Sequence, residues 1–453
     1  MSVNGTEKRQ TWSSRLTYVL TVAGATVGFG ATWRFPYLVG ENGGGAYVML
    51  FCIAMIVIGI PMILVENVIG RRMHKNAIDA FSGTANGKKI HPAWKILGYM
   101  GLLGAFGILA YYMVLGGWVL TYIGSIISGT LDLSAPVSPE TTSSFFTTYI
   151  HNSPLTILAY TALFVLANYV ILAKGIMDGI ERSVKFLMPL LFIFLLVMIV
   201  RNVTLPGAVQ GIEFYLIPDF SKITKELFVF VLGQVFFALS LGFGVLITLS
   251  SYLDKKENLV KTASITAVMN TLIALAAGFM IFPSLFTFNV PPNSGPTLVF
   301  QSLPIVFSHM WQGSIFAVIF FSLLIIAALT TSLTIYEVLI TAVQEKTRLG
   351  RKVSIALVLG GIFLLGNIPS VLGDNEWQNV TIIGRSIFDA FDYISGNILF
   401  ILTALGCAVF VGFVLKDEAK QELNAGEKFT AIWFNYVKYV IPVLILVIFV
   451  YSL

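Results

Sequence analysis

Hydrophobic positions in this chain come in long blocks rather than in residue-by-residue alternation. Eleven apolar segments can be marked, at 16–38, 46–70, 96–127, 155–173, 183–201, 227–252, 260–284, 313–344, 352–372, 394–415 and 429–452. A bilayer crossing needs ~20 apolar residues as a helix, whereas a barrel strand alternates over ~10. Lipid offers no partner to a backbone N–H or C=O, so runs of this length predict α-helices. The fold class expected is an all-α integral membrane protein with 11 transmembrane helices, in one unit over 1–453. The longest polar connections are 128–154, 202–226, 285–312 and 373–393. The third of them carries the turn-rich Pro291-Pro292-Asn293-Ser294-Gly295-Pro296.

Composition agrees. The chain is 57% hydrophobic and only 11% charged, against about 25% charged in ordinary soluble domains. That excludes a disordered chain, a coiled coil and a typical soluble enzyme. The net charge of +5 is explained by its placement. With the N-terminus in the cytoplasm, the N-terminal segment and the loops 71–95, 174–185, 255–261, 346–352 and 416–428 hold 22 of the 28 Lys and Arg residues. This asymmetry sets a cytoplasmic N-terminus and an external C-terminus in a cell membrane, and it makes lipid, not nucleic acid, the expected partner of the basic loops. Cys52 and Cys407 lie in apolar runs and predict no disulfide framework. His74, His91, His151 and His309 show no metal-ligand spacing. Lys438, in the last segment, is expected to snorkel or face protein.

The first and sixth segments contain matching interruptions, Gly28-Phe29-Gly30 and Gly242-Phe243-Gly244. Glycine weakens helix and permits left-handed backbone. The two segments are five apart in order, an odd number, so equivalent helices cross in opposite directions. This predicts inverted five-helix repeats, 16–201 and 227–415, with 429–452 as an added eleventh helix. Broken helices at the membrane midplane expose backbone groups that can bind substrate and ions.

Further residues carry a family pattern. Trp33-Arg34-Phe35-Pro36, Gly40-Glu41-Asn42-Gly43-Gly44-Gly45-Ala46, Gly59-Ile60-Pro61, Gly70-Arg71, Gly179-Ile180-Glu181-Arg182, Gly233-Gln234-Val235-Phe236-Phe237 and Ser240-Leu241-Gly242-Phe243-Gly244 resemble the neurotransmitter:sodium symporter family, in particular its bacterial, leucine-transporter-like members. The resemblance runs from Trp12 to the last segment. It implies two sodium sites and a central pocket. Gly24, Val27, Ala327, Thr330 and Thr331 match the second sodium site, an all-oxygen set suited to a hard cation. For the two threonines, back-bonding within the helix is the competing role.

The first sodium site departs from the pattern. Ala31 and Ala238 stand where side-chain oxygen is expected, Thr26 matches a carbonyl ligand, and only Asn270 keeps its identity. A cation short of ligands in a dry site costs several kcal/mol per missing partner. The site is expected to be lost, with rescue by Thr26 and the substrate as the alternative. The chloride position departs too: Phe51, Ala238 and Ala274 replace polar groups and Gln234 remains. Sodium at one site and independence from chloride are therefore expected.

By the same resemblance the substrate pocket comprises Ala25, Thr26, Phe29, Gly30, Ile108, Tyr112, Phe237, Ala238, Ser240, Phe243, Thr331 and Ile335. Gly28 stands where monoamine-transporting members carry Asp, which disfavours a cationic amine. Arg34 and Asp392 match an external gate, with Phe243 and Tyr112 as the lid beneath it. Residues 1–15 match a cytoplasmic latch, in which Arg9 and Trp12 pair with Glu345. Gly179 and Pro189 match a site where the fifth helix unwinds. Glu66 and Glu337 are buried acids, either structural or proton-coupling.

The implied function is secondary import of a small hydrophobic or aromatic amino acid by alternating access, with no enzymatic activity. Sodium-independent or proton-coupled uptake of an indole-like solute is the rival, and a substrate-sensing receptor is the rival of another class.

Overall fold

The computed structural model describes Trp12, residues 15–293 and residues 295–452. Among them, nine helices are long and apolar enough to cross a membrane: Gly45–Met73, Pro92–Ile127, Pro154–Leu172, Ile176–Val203, Leu259–Thr287, Gly313–Thr347, Arg351–Gly373, Ile387–Leu415 and Glu427–Tyr451. The remaining two apolar segments are interrupted. The first runs as Arg15–Thr26, then resumes at Gly30–Arg34 and Phe35–Glu41. The sixth runs as Lys225–Ala238 and resumes at Val245–Ser250. The expectation of eleven crossings counts each interrupted pair once.

Two boundaries lie seven residues from the hydropathy reading. The fifth span begins at Ile176 rather than 183, because its opening turns carry Asp178, Glu181 and Arg182, which lower the local hydropathy. The tenth begins at Ile387 rather than 394 for the same reason, with Asp389 and Asp392 in its first turns and Ser386 accepting the Asp389 N–H as a cap. Through Gly179 and Pro189 the fifth span is continuous helix, so the unwinding expected there is absent from this conformation. Four widened turns, Gly30–Arg34, Met55–Gly59, Phe363–Asn367 and Tyr436–Val440, each end two residues before a proline. Proline brings no N–H and crowds the preceding turn, and a π-type turn absorbs the mismatch.

The third and eighth spans, equivalent members of the two repeats, lie along one another at the centre. The first half of the first span packs on the seventh and eighth, and both halves of the sixth pack on the second. Thus both breaks lie inside a cage of continuous helices. The fourth and fifth spans turn Leu155, Leu163, Phe186 and Ile193 outward, an apolar surface fit for lipid.

On the Trp12 side, buried Arg71 pairs with Glu422 at 2.6 Å and Arg72 with Glu418 at 2.7 Å. Asp79 accepts from Lys95 and Lys346, each at 2.8 Å. Burial alone would raise the Asp79 carboxyl, but hydrogen bonds from Lys346, Lys95 and Asn76 outweigh it and hold it at about 2.

Candidate functional site

A helix break releases carbonyls from their i+4 donors, and each must find another partner in a dry interior. At the first break three of these carbonyls are taken by side chains from other spans. Thr331 Oγ1 donates to the Gly24 carbonyl at 2.8 Å, Ser240 Oγ to Ala25 at 3.2 Å, and Asn270 Nδ2 to Thr26 at 3.0 Å. The Ala31 N–H, which unbroken helix would send to Val27, goes to Gly28 instead. Beyond the break, Gln234 Nε2 donates to Gly30 at 2.8 Å. The Phe29 N–H is taken by the Tyr112 hydroxyl at 3.2 Å.

Gly28 has a steric reason to be glycine. An added Cβ would meet Tyr112 Oη and Thr331 Oγ1, so the aspartate of monoamine transporters does not fit this arrangement.

The second break turns on left-handed backbone at Ser240, Gly242 and Gly244. At Gly242 a side chain would also strike the Phe400 carbonyl. The Gly242 N–H, pointing away from any helical partner, donates to Glu66 Oε1 at 2.7 Å. Glu66 is fully buried. The Ala238 carbonyl, at the end of the helix before this break, accepts from Asn270 Nδ2 at 3.1 Å.

Between the breaks is a cavity of about 10 Å³, room for roughly one water. Ala25, Thr26, Gly30, Ile108, Tyr112, Phe237, Ser240, Phe243, Thr331 and Ile335 line it, as does Gly28. The two other expected pocket residues act through backbone: Phe29 by its N–H and Ala238 by its carbonyl. A larger cavity of about 480 Å³ lies on the Arg34 side. Phe237 lines both cavities and so forms the wall between them.

The lid expected from Phe243 and Tyr112 is arranged differently. Phe243 is stacked on Phe400, with ring centroids 3.5 Å apart. Phe237 takes the place under Arg34, whose guanidinium lies 4.3 Å from the ring centroid. Arg34 and Asp392 are electrostatic neighbours but form no direct ion pair among the described residues. The larger cavity is bordered by Arg34.

The opposite side is closed. Trp12 Nε1 donates to the Leu249 carbonyl at 3.1 Å, and its ring meets Tyr18 and Tyr252. Trp12 thereby ties the start of the first span to the far half of the sixth. Glu345 accepts from the backbone and side-chain nitrogens of Asn76. Arg9, its expected partner, lies outside the described residues.

Of the residues expected at the second sodium site, Gly24, Thr330 and Thr331 are direct neighbours. Beside the Thr331–Gly24 bond, Thr330 Oγ1 donates to Ala327 O at 3.0 Å and Ile326 O at 3.2 Å, and a Cβ on Gly24 would touch Thr330 Cβ at 3.3 Å. Both hydroxyls keep lone pairs and could turn them inward to an arriving cation. Back-bonding describes Thr330 here, whereas Thr331 reaches across to the broken helix.

The other acids have structural partners. Glu337 forms a two-pronged pair with Arg351, at 2.7 and 3.0 Å, and accepts from Thr341. Phe51, at the chloride position, packs on Phe35 with centroids 4.7 Å apart. Lys438, in the last span, lies over the Phe413 and Tyr439 rings. Glu66 as the cap of the second break and Phe237 as the wall are roles that periodicity carried no signal for. Both depend on residues brought together from different spans.

Residues 9–136 and 150–453 match the profile of the Sodium:neurotransmitter symporter family. The chain belongs to that family. Among its relatives, a protein of Haemophilus influenzae described as an uncharacterized sodium-dependent transporter is 73% identical over 99% of both chains. The sodium-dependent transporter YhdH of Bacillus subtilis is 35% identical, covering 98% of this chain and 97% of its own. Among solved structures, that of MhsT in complex with L-phenylalanine superposes with a TM-score of 0.88 at 37% identity, covering 98% of this chain and all of that one. This symporter is thus a sodium-dependent membrane transporter with bacterial relatives, not an enzyme, and its fold is that of the leucine-transporter class.

Proposed function

We propose that this symporter imports a small hydrophobic or aromatic amino acid by alternating access, coupled to Na⁺ at the second site alone. The observation that carries the reading is the Thr331 hydroxyl. It borders the central cavity and reaches the Gly24 carbonyl in the sodium cluster, so one side chain belongs to both sites. A cation at that cluster would hold the first half of the first span against the eighth. Its departure would release it toward the Trp12 side.

The substrate class is supported by the apolar lining, the absence of a carboxylate at Gly28, and the relative solved with L-phenylalanine. The Phe29–Tyr112 pair offers a backbone N–H and a phenol beside the cavity, groups suited to a carboxylate. The first sodium site lacks side-chain oxygen at Ala31 and Ala238, and the chloride position is filled by Phe51 packing. The basic loops support a cytoplasmic N-terminus and an external C-terminus.

Proton coupling draws less support. Of the acids it would use, Glu337 is paired with Arg351, and Glu66 accepts the Gly242 N–H at Oε1 while its Oε2 has no hydrogen-bond partner among the described residues.

The test is thermal protection of the purified transporter by a panel of amino acids and indoles, with Na⁺ or with choline. Protection by aromatic or branched amino acids only when Na⁺ is present supports the reading. Equal protection in choline overturns it.

A further inference from the structure

Asn270 sits in the seventh span and is fully buried. Its amide nitrogen donates to Thr26 O at 3.0 Å and to Ala238 O at 3.1 Å. Thr26 is the last residue before the first break and Ala238 the last before the second. One nitrogen with two protons therefore joins both broken helices.

Two carbonyl oxygens aimed at one point in a dry interior repel unless a donor or a cation stands between them. In this chain the remaining groups do not suit a cation. Ala31 and Ala238 bring no side-chain oxygen, and the Thr26 hydroxyl donates to the Ala23 carbonyl at 3.1 Å. The nitrogen end of the Asn270 amide makes both bonds.

We infer that Asn270 is a positioning residue that does by hydrogen bonding what a bound cation does elsewhere: its neutral amide clamps the two helix breaks together. The clamp is permanent and carries no charge. The relative placement of the two breaks then does not depend on sodium concentration, and sodium acts only at the Thr330–Thr331 cluster. This rests on the one-sodium reading above and adds the group that makes the second cation unnecessary.

The test counts radioactive sodium bound per purified chain at equilibrium and follows unfolding temperature against Na⁺ concentration. The wild type is expected to bind one Na⁺. Asn270→Asp removes both N–H donors and places a carboxylate against two carbonyls, which needs a cation. It is expected to bind two Na⁺, and its unfolding temperature is expected to rise more steeply with Na⁺ than that of the wild type. Should Asn270→Asp fail to fold, Asn270→Ala, which removes both donors without adding a charge, is expected to bind one Na⁺ and to unfold at a lower temperature than the wild type at every Na⁺ concentration. A single Na⁺ in Asn270→Asp with a wild-type sodium response, or a wild-type unfolding temperature in Asn270→Ala, overturns the clamp. Two Na⁺ in the wild type overturn the one-sodium reading itself, a separate result.

Discussion

The guanidinium of Arg34 lies 4.3 Å above the ring of Phe237, and that ring divides the outer cavity from the central one. A cation over an aromatic face is attracted to it, most when both are shielded from water. Arg34 thus holds the wall in place. Phe237→Ala is expected to merge the cavities and weaken retention of bound L-phenylalanine at least tenfold, measured as its dissociation rate. Phe243→Ala, which loosens the stack on Phe400, should leave that rate within about threefold.

Thr331 spans the first and eighth helices through its bond to Gly24 at 2.8 Å. Thr331→Ala is expected to raise the Na⁺ concentration for half-maximal uptake at least tenfold. Thr331→Ser, which keeps the hydroxyl, should stay close to the wild type. Uptake measured against Na⁺ concentration checks both.

Glu66 accepts the Gly242 N–H at 2.7 Å, where the backbone is left-handed. Leaving a buried donor unpaired costs about 1–3 kcal/mol. Glu66→Ala should lower the unfolding temperature, while Glu66→Gln keeps an acceptor and should retain both stability and uptake. Loss of uptake in a stable Glu66→Gln protein would instead favour a proton role.

Asp79 supplies the pH dependence. Its carboxyl is held at about 2, below the ~3.9 of an unfolded aspartate. The stabilisation is therefore present above about pH 4 and lost as pH falls through about 2. The gap in unfolding temperature between the wild type and Asp79→Asn should shrink from pH 5 to pH 2.

Independence from chloride is the outcome expected from the packing at Phe51. Phe51 fills its position against Phe35, so replacing chloride by gluconate should leave uptake unchanged.

Much of the site was legible because its elements are local. The G-F-G runs mark the breaks: a Cβ at Gly28 would crowd Tyr112, and Gly242 and Gly244 adopt the left-handed backbone that glycine favours. Hydropathy located the nine uninterrupted spans, failing only where Asp178, Glu181, Asp389 and Asp392 charge the first turns. Less legible were relationships between distant residues. Arg71 finds Glu422 across 351 positions, and Asn270 reaches Thr26 across 244. The identity of the wall depended on which way each aromatic ring turns. Phe237 and Phe243 share one helix region, and tertiary packing on Arg34 and Phe400 separates their roles.

The most direct test is uptake of labelled L-phenylalanine into proteoliposomes under an imposed inward Na⁺ gradient, with the Hill coefficient for Na⁺ as the readout. The account predicts accumulation that collapses when the gradient is removed, with a coefficient near one. Accumulation that persists without Na⁺, or a coefficient near two, would contradict it.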